Sequence, residues 1–439
     1  MTARFSPALS LYLAATHALA PLAPMILWRR KRQGREDGAR LGERLGHAAL
    51  PRPQGRLVWL HGASLGETAS MAPLIAALRA VADPPELLIT AGTVTAAERL
   101  RQTLPPGARH QYVPVDTAPA VRHFLSHWRP DLAIWVESEF WPGLMVRTAR
   151  AGVPMMLINA RLSAASARGW ARLPAMAARL VGLFDRILTQ DEATLERLAA
   201  LGRPRDAMRH AGNLKAAIPP PACDPAELRT LRDGLAGRPI WLAASTHPGE
   251  DAAVIEAHLS LKERLPGLVT ILAPRHPERG AAIVADARAR TGLPPAQRSR
   301  GDGPPADGGI WLADSLGEMG LWYRLAPVSF IAGSIAPLGG HNPFEAAALG
   351  TAILHGPRTE NFAPAYAALD AAEGGRHVSD ATSLAAALGD LLAADGARHP
   401  RAVAMATRGR EALTALAPDV DAIAAEALSL MATRAGGRP

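Results

Sequence analysis

Short apolar runs in this chain repeatedly stop at residues able to bind or to react. Leu57–Leu60 leads into His61 and GASLGE at 62–67, Leu132–Val136 into Glu137 and Glu139, and Met155–Ile158 into Asn159-Ala160-Arg161. Ile240–Ala244 leads into Ser245-Thr246-His247, Val269–Ala273 into Arg275-His276, and Val328–Ala332 through a Gly-rich stretch into GGHNPFE at 339–345. In open α/β sheets, ligands bind in the crevice outside the carboxyl ends of parallel strands. The recurrence of this pattern in both halves predicts a ligand held between two such sheets.

Each cluster allows a chemical and a plain structural reading. Gly62-Ala63-Ser64-Leu65-Gly66 fits G-x-S-x-G, a nucleophile elbow with Ser64 as nucleophile. It follows the first strand of its domain, however, with no earlier strand to build the sheet that normally displays such an elbow. A tight turn feeding a helix N-terminus, where bare N–H groups favour anions, accounts for it better. Glu67 then serves either as a base or as a first-turn carboxylate complementing the helix dipole. Glu137 and Glu139 share a face if the strand runs through both, which suits acid–base work or ordinary ion pairs. Lys215, in GNLK at 212–215, is one of only three lysines, the others being Lys31 and Lys262; it could bind phosphate or stand in solvent. Arg275-His276-Pro277-Glu278-Arg279 is an anion site, since Arg offers a bidentate fork to phosphate, or else a charged loop.

GGHNPFEAAALG at 339–350 is the sharpest local pattern. Asn342 reads as N-cap, Pro343 as N1 and Glu345 as N3, a capping box. The preceding glycines would let a phosphate approach the helix N-terminus. The cap alone explains Asn342 and Glu345; the glycines and His341 favour a ligand. His123 and His127 have a metal-compatible i,i+4 spacing but no evident third ligand, so a surface helix is the better reading. With one cysteine, Cys223, and no Asp-x-Asp, H-E-x-x-H or Cys/His cluster, no metal is implied.

The elements that must position these residues follow from composition and periodicity. At 439 residues the chain is long for one core. Its 48% hydrophobic and 20% charged content is that of a folded globular protein. Aromatics at 5% argue against base-stacking platforms for single-stranded nucleic acid. A net charge of +8 suits a solvated Arg-rich surface, an anionic substrate or a membrane face. From Phe5 to Trp28 there is no Asp, Glu, Lys or Arg, and Arg29-Arg30-Lys31-Arg32 follow at once. About 20 residues suffice to span a bilayer, so 1–32 is expected to be a membrane anchor with a basic flank that keeps the rest of the chain cytoplasmic. Pro7, Pro21, Pro24 and His17 leave an interfacial helix open. A cleaved signal at Ala18-Leu19-Ala20 fits less well, because the positive cluster lies on the wrong side.

Beyond a polar stretch at 33–56, β-like runs alternate with helical ones at Met71–Val81, Ala118–Trp128, Gly143–Ala151 and Ala193–Leu201. Such alternation means βαβ units and parallel sheets. The fold expected is therefore two α/β domains, at 51–217 and 239–405, whose sheets face each other across a central cleft; the resemblance described below implies that both are Rossmann-like. Pro219-Pro220-Pro221 and scattered Gly break the pattern over 216–238, with the linker at 218–238. The segment 294–309 reads as a loop or flexible insertion, and 406–439 as a helical tail that could cross back to the first domain.

Taken in order, GASLGE (62–67), VESEFWPGL (136–144), NARLS (159–163), GNLK (212–215), ASTHPGE (244–250), PRHPER (274–279), GEM (317–319) and GGHNPFEAA (339–347) resemble the transferases of 3-deoxy-D-manno-octulosonic acid (Kdo), enzymes of lipopolysaccharide synthesis. The likeness runs across nearly the whole chain, including the apolar N-terminus. It implies a metal-independent GT-B glycosyltransferase with no cofactor, taking CMP-Kdo as donor in the second domain. The acceptor implied is a lipid A precursor of the lipid IVA type, met at the cytoplasmic face of the inner membrane. It also implies Glu67 as general base, Glu137 and Lys215 as transition-state stabilisers, and CMP contacts at Arg275, His276, Leu316, Gly317, Glu318, Asn342, Pro343, Phe344 and Glu345. Two departures bear on the acceptor side: Ala216-Ala217 stand where the family carries Phe-Asp, and Gly143 where it carries Asn after Trp-Pro.

Those roles agree with charge. A sugar hydroxyl attacking an anomeric carbon must lose its proton to a positioned base. The departing phosphate must be neutralised by Arg275, Lys215 and the helix N-terminus at Asn342, in a direct inverting displacement of CMP. The basic stretch 29–35 would lie against anionic headgroups. The rivals are a serine hydrolase using Ser64, a membrane-anchored two-lobed solute-binding protein, and a GT-B transferase for another nucleotide sugar.

Overall fold

A computed structural model describes residues 6–137 and 140–435; Glu139 lies outside the described residues. The chain forms two compact units, the first running to Ile218 and resuming at Ala417, the second spanning Pro219–Leu416.

Seven strands build the first unit: β1 (Leu57–His61), β2 (Glu86–Ala91), β3 (Ala108–Tyr112), β4 (Leu132–Val136), β5 (Met155–Ala160), β6 (Arg186–Thr189) and β7 (Met208–His210). They lie in the order β3-β2-β1-β4-β5-β6-β7, every pair parallel. Every residue of β1, β4 and β5 is buried, as expected of a parallel sheet covered by helices on both faces. That is why these strands are near-continuous apolar runs rather than alternating ones. Trp59, Trp135 and Phe124 anchor the core, with both rings 4.8 Å from Trp59. Helix Val420–Ala435 returns to this unit. It packs on helix Ala72–Ala80 and β4, burying Ile423, Ala424, Ala427 and Met431.

The second unit repeats the plan with β8 (Ile240–Thr246), β9 (Val269–Pro274), β10 (Ala296–Gln297), β11 (Gly309–Leu312), β12 (Val328–Ile331), β13 (Ala352–His355) and β14 (Gly375–His377). Their order is β10-β11-β9-β8-β12-β13-β14, again all parallel. Strand order therefore reverses between β1 and β4 in one sheet and between β8 and β12 in the other. Such a reversal opens the crevice in which doubly wound sheets bind ligands.

Three segments differ from expectation. The N-terminal apolar run is not one long helix: Pro7–Ala18 and Ala20–Arg32 meet at a 46° bend, and among the described residues no single helix is long and apolar enough to cross a membrane. Pro21 and Pro24 lack the N–H that a continuous helix needs. The pair also docks on its own unit, for Leu9 and Leu27 are buried and the Tyr12 hydroxyl donates to Asp116 Oδ2 at 2.7 Å. Residues 294–309 are not a loose insertion. Ala296-Gln297 pairs with β11, Gln297 Nε2 donates to Asp314 Oδ2 at 2.6 Å, and Arg298 is ion-paired to Glu318 and Glu227. Its Pro and Gly content hides a two-residue strand. Lastly, the tail consists of two helices, Pro400–Thr414 in the second unit and Val420–Ala435 in the first.

Candidate functional site

In the first unit the switch point places the loops after β1 and β4 side by side. After β1, Ser64 caps helix Leu65–Ser70: its Oγ accepts from Glu67 N at 3.3 Å and donates to Glu67 Oε1 at 3.0 Å. Glu67 Oε2 accepts from Ala63 N at 2.6 Å, and the side chain is buried. The carboxylate is thus fixed at the strand end by hydrogen bonds donated from Ala63 N and Ser64 Oγ, while Ser64 serves as a cap. Among the described residues no hydrogen bond joins the nearby His61 to Ser64, as a hydrolase would need. His61 is fully buried, its Nδ1 lies 2.9 Å from Thr90 Oγ1, and burial pulls its pKa down to about 4.

After β4, Glu137 stands at φ +62. A non-Gly residue in this region is strained by about 1 kcal/mol or more and must be held by its surroundings. The hold is Lys215, whose Nζ donates to Glu137 Oε1 at 2.6 Å, both side chains being largely buried. Lys215 is itself placed by Asn159, at φ +51 on the bulged end of β5, whose Oδ1 accepts from Leu214 N at 3.0 Å. Asn213 Oδ1 accepts from Lys215 N at 3.0 Å and completes the turn. The structure therefore brings Glu137 and Lys215 into contact and sets Glu67 on the adjoining strand's loop.

A pocket of about 480 Å³ adjoins this edge, walled by Leu19, Ala23 and Leu27 of the N-terminal helices and reaching Ala63, Asp116 and Trp141. Gly143 belongs to the same corner. Its N–H donates to Asp116 Oδ2 at 2.9 Å, and a Cβ there would come 2.5 Å from Asp116 Oδ1. The absence of a side chain at 143 thus goes with the Tyr12–Asp116 bond that docks the first helix.

In the second unit, His247 follows β8 and His341 follows β12, across that sheet's switch point. Their Nε2 atoms lie 2.8 Å apart. The rings are 17° from coplanar with centroids 5.0 Å apart, the geometry of edge-to-edge nitrogen contact rather than face-to-face overlap. Gly333, at φ +69, leaves room for the His341 ring, which a Cβ would meet at 2.8 Å. Arg275 and His276 follow β9 and are exposed, the His276 ring lying 5.9 Å from that of His247. Burial lowers the pKa of both switch-point histidines, assisted by these cations, and His341 falls to about 4.

Glu250 is the anchor of this edge. Its carboxylate accepts from His247 N at 3.1 Å, Gly333 N at 2.8 Å, Ser334 N at 3.1 Å, Ile335 N at 3.0 Å and Ala336 N at 3.1 Å. Successive N–H groups of this kind form a nest for anions, and here a side chain of the protein already fills it. The capping box at 342–345 is modified. Helix Phe344–Ala348 begins one residue late, with Asn342 Oδ1 accepting from Phe344 N at 3.0 Å, and Glu345 Oε1 meets the Asn342 side-chain amide at 3.4 Å. The reason is that Pro343 itself takes helical angles as N-cap. Glu345 has its pKa raised by burial, against the pull of Asn342; Pro343 and Phe344 are buried beneath it.

Leu316 and Gly317 are exposed after β11, whereas the Glu318 carboxylate is taken up by Arg298 at 2.6 Å and by Ser315. His123 and His127 sit 3.4 Å and 2.9 Å from the Leu45 and Leu50 carbonyls respectively. Among the described residues, no three His, Cys, Asp or Glu side chains gather as a metal site. Sequence reasoning did not assign His247, Glu250 or Asn159. Each lies in a strand-end motif, but its partner is set by strand order, which spacing does not reveal.

Two doubly wound parallel sheets, each with polar residues converging on its switch point, define a GT-B-type protein of two Rossmann-like domains. The fold is shared with UDP-GlcNAc 2-epimerase from Neisseria meningitidis bound to UDP-GlcNAc, at a TM-score of 0.59 and 13% identity, covering 85% of this chain and 100% of that one. Residues 39–218 match the family described as 3-deoxy-D-manno-octulosonic-acid transferase (kdotransferase). The chain is 38% identical over 365 residues to the 3-deoxy-D-manno-octulosonic acid transferase of Bordetella pertussis, covering 80% of this chain and 83% of that one. It is 35% identical over 360 residues to a probable mitochondrial enzyme of the same name from Arabidopsis thaliana, covering 80% of each. The chain belongs to the 3-deoxy-D-manno-octulosonic acid transferase family and is a glycosyltransferase.

Proposed function

We propose that the protein transfers Kdo from CMP-Kdo to a lipid A precursor of the lipid IVA type, releasing CMP, as a step in lipopolysaccharide synthesis. The Glu67 carboxylate takes the proton of an acceptor sugar hydroxyl as its oxygen attacks the anomeric carbon of Kdo. The bond from that carbon to the phosphate oxygen breaks, its electron pair remains on the phosphate, and configuration inverts. Lys215, oriented by Glu137, stabilises the charge that develops, while Arg275 and His276 receive the phosphate. Leu316, Gly317 and Glu318 together with Asn342, Pro343, Phe344 and Glu345 enclose the rest of the nucleotide. These cationic groups replace a divalent ion, and no cofactor takes part.

The bent helix pair carries exposed Leu11, Leu19, Leu22, Met25, Ile26 and Trp28, followed by Arg29-Arg30-Lys31-Arg32. An apolar face beside a basic cluster suits the headgroup region of an anionic leaflet. The protein accordingly works at the cytoplasmic face of the inner membrane, and the pocket beside these helices suits a lipid-linked acceptor.

The observation that carries this reading is the contrast between the two switch points. Carboxylates and a paired lysine occupy the first, as a base for an alcohol requires; imidazoles and guanidinium occupy the second, as a phosphate requires. The test is incubation of the purified protein with CMP-Kdo and lipid A precursor in EDTA, with products read by mass. Product heavier by one or more Kdo residues is expected. Protection of the second unit from hydrogen exchange by a uridine nucleotide and not by CMP would point to another nucleotide sugar, and activity only after adding a divalent ion would overturn the metal-independent mechanism.

A further inference from the structure

The histidine pair at the second switch point has properties that its neighbours do not share. Each imidazole turns Nε2 to the other at 2.8 Å, so one must donate and the other accept. A neutral pair in this contact holds one proton between the rings and one more on an outer Nδ1. Among the described residues, neither Nδ1 has a protein partner within hydrogen-bonding distance. Protonating the remaining Nδ1 would leave a cation with an N–H at each outer end and the inner contact intact.

The surroundings keep that extra proton off the empty site and favour it once an anion is present. Arg275, Arg279 and His276 face the pair from the segment after β9, and they lower its affinity for protons along with burial. Glu250, at the start of helix Glu250–Leu261, opposes them for His247, though its carboxylate is already engaged by five backbone N–H groups. Arg279 is ion-paired to Asp251 and donates to Thr246 O at 3.2 Å. The Tyr366 hydroxyl, from helix Ala363–Ala371, donates to His341 O at 2.8 Å and holds the ring's backbone. Because the backbone nest of the loop after β12 is filled by Glu250, a phosphate has to be met by side chains instead.

We infer that His247 and His341 are a proton-accepting seat for the phosphate of the nucleotide, neutral when empty and cationic when the phosphate monoester is bound. This rests on the donor reading above and adds a role for two residues outside it. When the bond to the sugar breaks, the leaving group passes from a phosphodiester monoanion to a phosphate monoester that carries about −1.5 to −2 charge near pH 7. A site that takes a proton from solvent as that charge appears holds the product more firmly than the donor.

The test is calorimetry of CMP binding to the intact protein at pH 7.0 in several buffers that differ in ionisation enthalpy, with cytidine as the phosphate-free control. Uptake of between half a proton and one proton with CMP, and none with cytidine, is expected. The variants His247→Gln and His341→Gln should each bind CMP about tenfold more weakly and lose the uptake. CMP binding to the unaltered protein without proton uptake would overturn the inference while leaving the donor reading intact, and this result needs no variant to fold. Uptake that persists unchanged in both variants would overturn it equally. Failure of CMP to bind at all would overturn the donor reading and this inference with it.

Discussion

Glu67 meets two demands with one carboxylate. It closes the cap of helix Leu65–Ser70 and, in the function proposed above, is also the base. Replacement by Gln keeps most of the cap's geometry but removes the base, so turnover should fall by about 10²–10⁴-fold while CMP affinity is held. Ser64→Ala should instead cost about 1 kcal/mol of stability, the value of a lost cap, and leave transfer measurable. Loss of activity in the serine variant alone would sink the assignment. Lys215 and Glu137 act as one unit through their 2.6 Å contact. Kinetics of Lys215→Met, Glu137→Gln and the double variant should show a coupling of roughly 0.5–3 kcal/mol; simple additivity would show that the pair is not shared in the transition state. At this scale the residue types at strand ends were legible, since parallel strands are apolar and their ends are not. The pairings were not. Nothing in the spacing of residues 159 and 214, or 247 and 341, announces that they touch, because both contacts depend on which strands become neighbours.

Elements that dock the site depend on small groups at close approach. Gly143, the second residue of helix Pro142–Arg150, lies against Asp116, which holds Tyr12. Gly143→Asn should push Asp116 aside at a cost of about 1–3 kcal/mol, as overpacking does. Thermal melting should record the loss, and limited proteolysis should cut sooner within the helix Pro7–Ala18. Unchanged melting would mean that Asp116 yields freely. The helices and strands that periodicity singled out lie within a residue or two of their expected bounds, Ala118–Trp128 and Leu132–Val136 matching outright, whereas others, such as helix Val94–Thr103 and β13, were not singled out. Where reading failed, proline was involved. Pro21 and Pro24 turned one apparent span into a bent pair, Pro294 and Pro295 masked the start of β10, and Pro343 moved a cap by one position.

For the molecule as a whole, buried histidines set the response to acid. Burial lowers the pKa of His61 and His258 to about 4 and, with Arg40 beside it, that of His110 to about 3; His341 behaves alike. In the unfolded chain these groups bind protons near pH 6.5. Below that value the unfolded state takes up more protons than the folded one, so stability falls as pH drops from 6.5 toward 4. The loss should be visible as a steady decline in denaturant midpoint across that window; a flat profile would mean that the imidazoles are solvated. Two units were legible from the repeated alternation of strand and helix, but the return of the last helix to the first unit was only an option in the sequence. That return has a consequence for synthesis. The second unit is one uninterrupted stretch, whereas the first cannot bury Ile423, Ala427 and Met431 until the segment from Val420 has left the ribosome. The unit begun first is therefore finished after the second, and a nascent chain stalled before Val420 would carry a completed second unit and an unsealed first one.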